Sequence, residues 1–139
     1  MIEVNYFAIL VGGILSIVIG GLWYGPLFGK QWMTLVGITP ESMKSMKMTP
    51  IQSMVGGFIV GLLTAFVLAH HMAFAGAYLG TTGYELALMS AFWVWLGFFV
   101  PVAIGVVLWE GKPWKLFFIT SAYYLVNLAV SALVLAYWI

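Results

Sequence analysis

The chain has 139 residues, 64% hydrophobic and 6% charged, with five Lys, no Arg and four acids for a net charge of +1. Soluble domains carry roughly a quarter charged residues, so this chain has too little polar side chain to cover a water-facing surface, and no basic face long enough to suit nucleic acid. The absence of cysteine excludes disulfides, thiolate metal sites and thiol nucleophiles.

The N-terminus lacks the basic stretch and small-residue cleavage site of a secretory signal. It runs from Glu3 straight into apolar sequence, and reads as a retained anchor. The first apolar run, 6–22, holds about 17 residues, near the lower limit for crossing a bilayer core of roughly 30 Å. Asn5, Trp23 and Tyr24 extend it to a helix over about 5–24. The stretch 22–33, LWYGPLFGKQWM, then gathers aromatics, glycines, a proline and the first lysine, the mark of a membrane surface along which 25–48 should lie.

Within that segment Thr39 is placed to cap a short amphipathic helix beginning at Pro40, with Glu41 in its first turn, predicted over 40–48. The second long helix opens with a capping box, Thr49-Pro50-Ile51-Gln52, and is predicted over 50–73, although 73–83 contains no single stop. A second apparent box, Thr82-Gly83-Tyr84-Glu85, opens the third helix, 83–109, and the fourth follows Pro113 over 113–138. The expected architecture is an all-α integral membrane protein of one domain, 1–139. Four transmembrane helices are arranged as two hairpins, with the interfacial helix between the first and second.

Lys30, Lys44 and Lys47 fall between the first two helices, and Lys112 and Lys115 between the last two. The positive-inside rule makes both loops cytoplasmic and turns both termini outward, as in a multi-pass protein of the bacterial inner membrane. Trp23, Tyr24, Trp32, Trp109 and Trp114 gather at the lysine side as interfacial anchors with Lys30, Lys112 and Lys115. Tyr6, Tyr78, Tyr84, Tyr137 and Trp138 gather at the other. LWYGPLF at Leu22 and LWEGKPW at Leu108 echo each other, through an old duplication or through a shared interfacial grammar of Trp, Gly and Pro.

GGLWYGPLFGKQWM, VGGFIVGLLTAFVLAH, FWVWLGF, LWEGKPWKLF and the closing helix with Tyr137-Trp138 together resemble the bacterial family catalogued as domain of unknown function 1761. The resemblance covers nearly the whole chain and implies a small four-helix membrane protein. It carries no catalytic or ligand residues.

Rows of small residues at every fourth position, Ala8, Gly12, Ser16 and Gly20 in the first helix and Gly57, Gly61, Ala65, Ala69 and Ala73 in the second, mark close-packing faces. They serve either packing of these helices on each other or a homo-oligomer interface. No Asp, Glu, Lys or His falls near the centre of a span, which argues against a carboxylate proton relay and against the small multidrug transporters, which need an acid in their first span.

Polar groups at depth are few. Asn127 and Thr64 each lie fourteen residues beyond a helix-starting proline, so both should sit about 21 Å from the lysine-side surface, with Trp95 at a similar level. Pro101, lacking an amide hydrogen, frees the carbonyl of Gly97 one turn back. A mid-membrane polar site of Asn127, Thr64, Trp95 and that carbonyl, near Tyr123 or Tyr124, competes with the reading of Asn127 as interhelical glue.

His70, His71, Glu85 and Glu3 form a rim constellation suited in principle to a metal or a proton, yet adjacent histidines on a helix point about 100° apart. Met43, Met46 and Met48 offer soft thioethers for Cu(I), against an amphipathic helix with methionines toward acyl chains and Lys44 and Lys47 toward headgroups. In both cases the structural reading is the expected one, so no metal and no cofactor is assigned. Catalytic signatures are missing, and an enzyme is not expected. Two functions remain: a structural or accessory membrane subunit packing with itself or a larger assembly, or an oligomeric channel or transporter for a neutral or apolar solute centred on Asn127. The bilayer is the expected partner, and nucleic acid is not.

Overall fold

Asn5 starts the first helix and also ties the two ends of the chain together. Its side-chain oxygen accepts from the amides of Phe7 and Ala8 at 3.0 and 3.1 Å, while its amide group donates to the Trp138 carbonyl at 3.1 Å. The computed structural model describes residues 2–138, and among these every regular element is helical. The helices are α1 (Tyr6–Leu22), α2 (Gly29–Val36), α3 (Pro40–Lys44), α4 (Pro50–Leu79), α5 (Gly83–Val94), α6 (Val100–Glu110) and α7 (Trp114–Tyr137). A π-helical turn, Trp23–Leu27, prolongs α1, and another, Trp95–Phe99, joins α5 to α6. The result is four helical spans long and apolar enough to cross a membrane: Tyr6–Leu27, Pro50–Leu79, Gly83–Glu110 and Trp114–Tyr137.

Local chemistry explains the boundaries. At α4 the Thr49 hydroxyl accepts from the Gln52 amide and the Gln52 side chain accepts from the Thr49 amide, closing the capping box. The helix runs past residue 73 through alanine-rich sequence, and stops only where Gly80 turns left-handed at φ +66° and returns its amide to the Gly76 carbonyl. At α5 the predicted box does not form. Gly83 holds a φ of +67°, so Thr82 makes no capping hydrogen bond and Glu85 contributes only its charge to the first turn.

The short helix predicted over 40–48 is confined to Pro40–Lys44. Thr39 and Ser42 close the box at its start, and the Ser45 hydroxyl donates back to the Ser42 carbonyl at 3.0 Å where it ends. Most of the helical structure between the first two spans lies instead in α2, which Gly37 terminates at φ +77°. The echo of LWYGPLF with LWEGKPW has no structural counterpart. The first continues its helix as a π-turn, whereas the second breaks at left-handed Gly111 and restarts at Trp114.

α1 packs most extensively on α4 and also on α7, and α5 packs on α7. Three hydrogen bonds set α1 antiparallel to α7 along its length: Asn5 to Trp138, Asn127 to Ser16 and Trp23 to Ile119. The tightest core lies toward the chain termini, where Ala8, Ala69, Met72, Ala87, Ala132 and Leu135 are buried together. Alanines there permit the close approach that dispersion requires in lipid.

Candidate functional site in the bundle interior

The small-residue rows meet each other. A Cβ placed on Gly61 would lie 2.8 Å from the Ser16 Cβ, one on Gly12 would lie 3.0 Å from the Ala65 Cβ, and one on Gly57 would lie 3.1 Å from Ile17. Gly20 faces α7 instead, where a Cβ would stand 3.3 Å from the Tyr123 hydroxyl. The α1 and α4 faces are therefore occupied within the chain.

At this crossing the Asn127 amide donates to the Ser16 hydroxyl at 3.4 Å, and the Asn127 Oδ1 is buried with no partner. Thr64 is not part of this group. Its hydroxyl donates to the Val60 carbonyl of its own helix at 2.9 Å, and it lines a crevice of about 440 Å³ with Leu63, Val67, Leu68, His71, Val94, Phe98, Phe99 and Leu128. Trp95 is not bonded to Asn127 either, because its indole N–H donates to the Ser121 carbonyl at 2.7 Å.

Ser90 lies on α5, which packs against α7. Ser90 is 2% exposed and its hydroxyl also lacks a partner. Ser131, 2% exposed, lies one turn beyond Asn127 beside Gly12. Ser16, Ser90, Asn127 and Ser131 are thus four polar side chains buried in the interior. Sequence reasoning singled out two of these four, Ser16 and Asn127; the signal for Ser131 was its place one turn beyond Asn127 on α7, and Ser90 had none.

A second arrangement was not visible beforehand. Trp23 and Trp95 each open a π-turn of the pattern W-x-G, and each sends its indole N–H to a carbonyl of α7, Ile119 at 2.9 Å and Ser121 at 2.7 Å. Such π-turns are local irregularities of a kind often found at functional positions. Around these bonds runs a chain of rings: Phe99 on Tyr124 at 4.7 Å, Tyr124 on Tyr123 at 5.1 Å, Tyr123 on Tyr24 at 5.2 Å and Tyr24 on Trp32 at 5.2 Å. Trp23, Tyr24 and Trp32 thus have partners inside the protein, while Trp109 and Trp114 are exposed at 88% and 51%.

The rim residues do not converge. The His70 Nδ1 lies 2.8 Å from the Phe66 carbonyl and its ring stacks on Phe66, whereas His71 faces the crevice. Among the described residues no three of His, Cys, Asp or Glu come together in a way that could hold a metal, and Met43, Met46 and Met48 are exposed.

Four apolar spans, buried serines and an asparagine, and interhelical indole clasps define a polytopic helical membrane protein. The family described as protein of unknown function, DUF1761, matches residues 7–136, and the chain belongs to it. Neither a curated protein nor a solved structure matches the chain.

Proposed function

We propose that this protein is a structural or accessory subunit of the bacterial inner membrane that packs with itself or within a larger membrane assembly, and that it is not an enzyme. The third span carries the reading. Only 11% of its most apolar stretch is buried within the chain, against 39% in the fourth span. Gly97, Pro101 and Gly105 recur along it every fourth residue. Gly97 has open space before it, and a Cβ on Gly105 would meet only Trp109 of its own helix within 4 Å. Such a row lets a further helix approach closely, whereas the corresponding rows of α1 and α4 are already filled. The clustering of all five lysines at one end of the bundle supports an orientation with both termini outward.

The test uses the absence of cysteine in the chain. A single Val102→Cys variant should cross-link in native membranes to a second copy or to a larger partner, while Ile59→Cys on α4 should not. A particle whose mass in nanodiscs is that of one chain, with no partner retained and no cross-link at 102, overturns the reading.

The second reading, an oligomeric channel or transporter for a neutral or apolar solute, draws support from the 440 Å³ crevice with Thr64 and His71 among apolar walls. Its site would then lie beside Thr64 and not at Asn127. Solute flux in proteoliposomes that Thr64→Val abolishes would favour it.

A further inference from the structure

At the lysine end, α2 lies against the start of α7. Lys30, Gln31, Thr34 and Leu35 of α2 and Lys115 of α7 line one open groove of about 260 Å³. The two lysines come from segments far apart in sequence, and no carboxylate lines the groove with them. Among the described residues no lysine is within ion-pair distance of an acid. Both lysines also stand in the first turn of a helix that has no acidic residue there. A cation at a helix N-terminus opposes the local dipole, so two such cations facing one groove create a positive field that favours an anion there. Gln31 adds a side-chain donor, and the Thr34 hydroxyl, which donates to the Lys30 carbonyl at 3.0 Å, keeps acceptor capacity for a polar headgroup.

We infer that this groove binds the phosphate of an anionic phospholipid, with Lys30 and Lys115 on either side of it. A phosphate monoester or diester is the shared chemistry. Lys30 follows the end of the first apolar span and Lys115 stands at the start of the fourth, so a lipid can present its phosphate while its acyl chains stay along the bundle. Lys44 and Lys47 are no part of the groove, and lie in or beyond the short α3.

The test is native mass spectrometry of the full chain released from nanodiscs containing phosphatidylglycerol and phosphatidylcholine. Wild type should keep phosphatidylglycerol in preference to phosphatidylcholine. The double variant K30Q/K115Q should lose that preference by about tenfold or more, at roughly 1 kcal/mol for each lysine near a charged surface. K44Q/K47Q, with the same net charge, should keep it, and unchanged helical circular dichroism establishes that both variants fold. Equal losses in the two variants would mean diffuse attraction and overturn the site, as would retention by K30Q/K115Q. In a second arm inorganic phosphate competes with the lipid. Persistence of the lipid adduct supports the lipid source, and displacement by phosphate alone overturns it.

Discussion

The Asn127 amide reaches the Ser16 hydroxyl across the α1–α7 crossing at 3.4 Å, while the oxygen of the same side chain is buried without a donor. The bond is long and the oxygen's acceptor capacity is unused. Replacing Asn127 with Leu removes a weak bond and an unsatisfied acceptor together, and the two effects oppose each other. The variant should unfold within about 1 kcal/mol of wild type and keep the same assembly state. Reversible unfolding in bicelles measures this, and a loss of several kcal/mol would show that the amide has a partner beyond Ser16.

The indole clasps should matter more. Trp23→Phe and Trp95→Phe keep an aromatic ring but delete the N–H to Ile119 and Ser121. Each should cost about 1 kcal/mol, and the double variant about twice that, because α7 is then released from both π-turns. Hydrogen exchange in nanodiscs should show faster exchange of amides in the middle of α7. Unchanged exchange there would mean that the clasps contribute nothing to holding α7.

Gly61 and Gly56 give a matched pair on α4. Gly61→Ala would push a methyl group to within 3.0 Å of the Ser16 side chain and 3.3 Å of the Gly13 carbonyl, backbone that cannot swing aside. It should destabilise by about 1–3 kcal/mol. A methyl on Gly56 meets nothing within 4 Å, so Gly56→Ala should be neutral or stabilising by up to about 1 kcal/mol. Equal effects at the two positions would contradict the antiparallel packing of α1 on α4.

Gly29 controls the joint between the first span and α2. A Cβ there would lie 2.5 Å from the Tyr24 carbonyl oxygen. Gly29→Ala should therefore tilt α2 and separate Trp32 from Tyr24, now 5.2 Å apart between ring centroids. A change in tryptophan emission, with a loss of roughly 1–3 kcal/mol of stability, is expected.

Several features were legible in the chain because they depend on neighbours in sequence. The Thr49–Gln52 box, the proline-led starts of α3 and α4 and the four apolar spans follow from capping and hydropathy. The small-residue rows were visible as rows, but what each row faces was not, because spacing along one helix does not name its partner. The same limit applied to the direction each side chain takes. Asn127, Thr64 and Trp95 share an offset from helix ends, yet one points at Ser16, one bonds its own helix and one reaches Ser121.

Four spans long and apolar enough to cross a membrane, with the lysines in the two loops at one end, follow from the amino-acid order alone. Composition and hydropathy act on each span independently of its neighbours. Tertiary structure alone decided that LWYGPLFGKQWM continues its helix through a π-turn, that Trp23 and Trp95 converge on α7, and that Lys30 and Lys115 face one groove. Those outcomes depend on antiparallel registers between helices. A register is set by close contact between backbones, which no pattern within a single helix encodes.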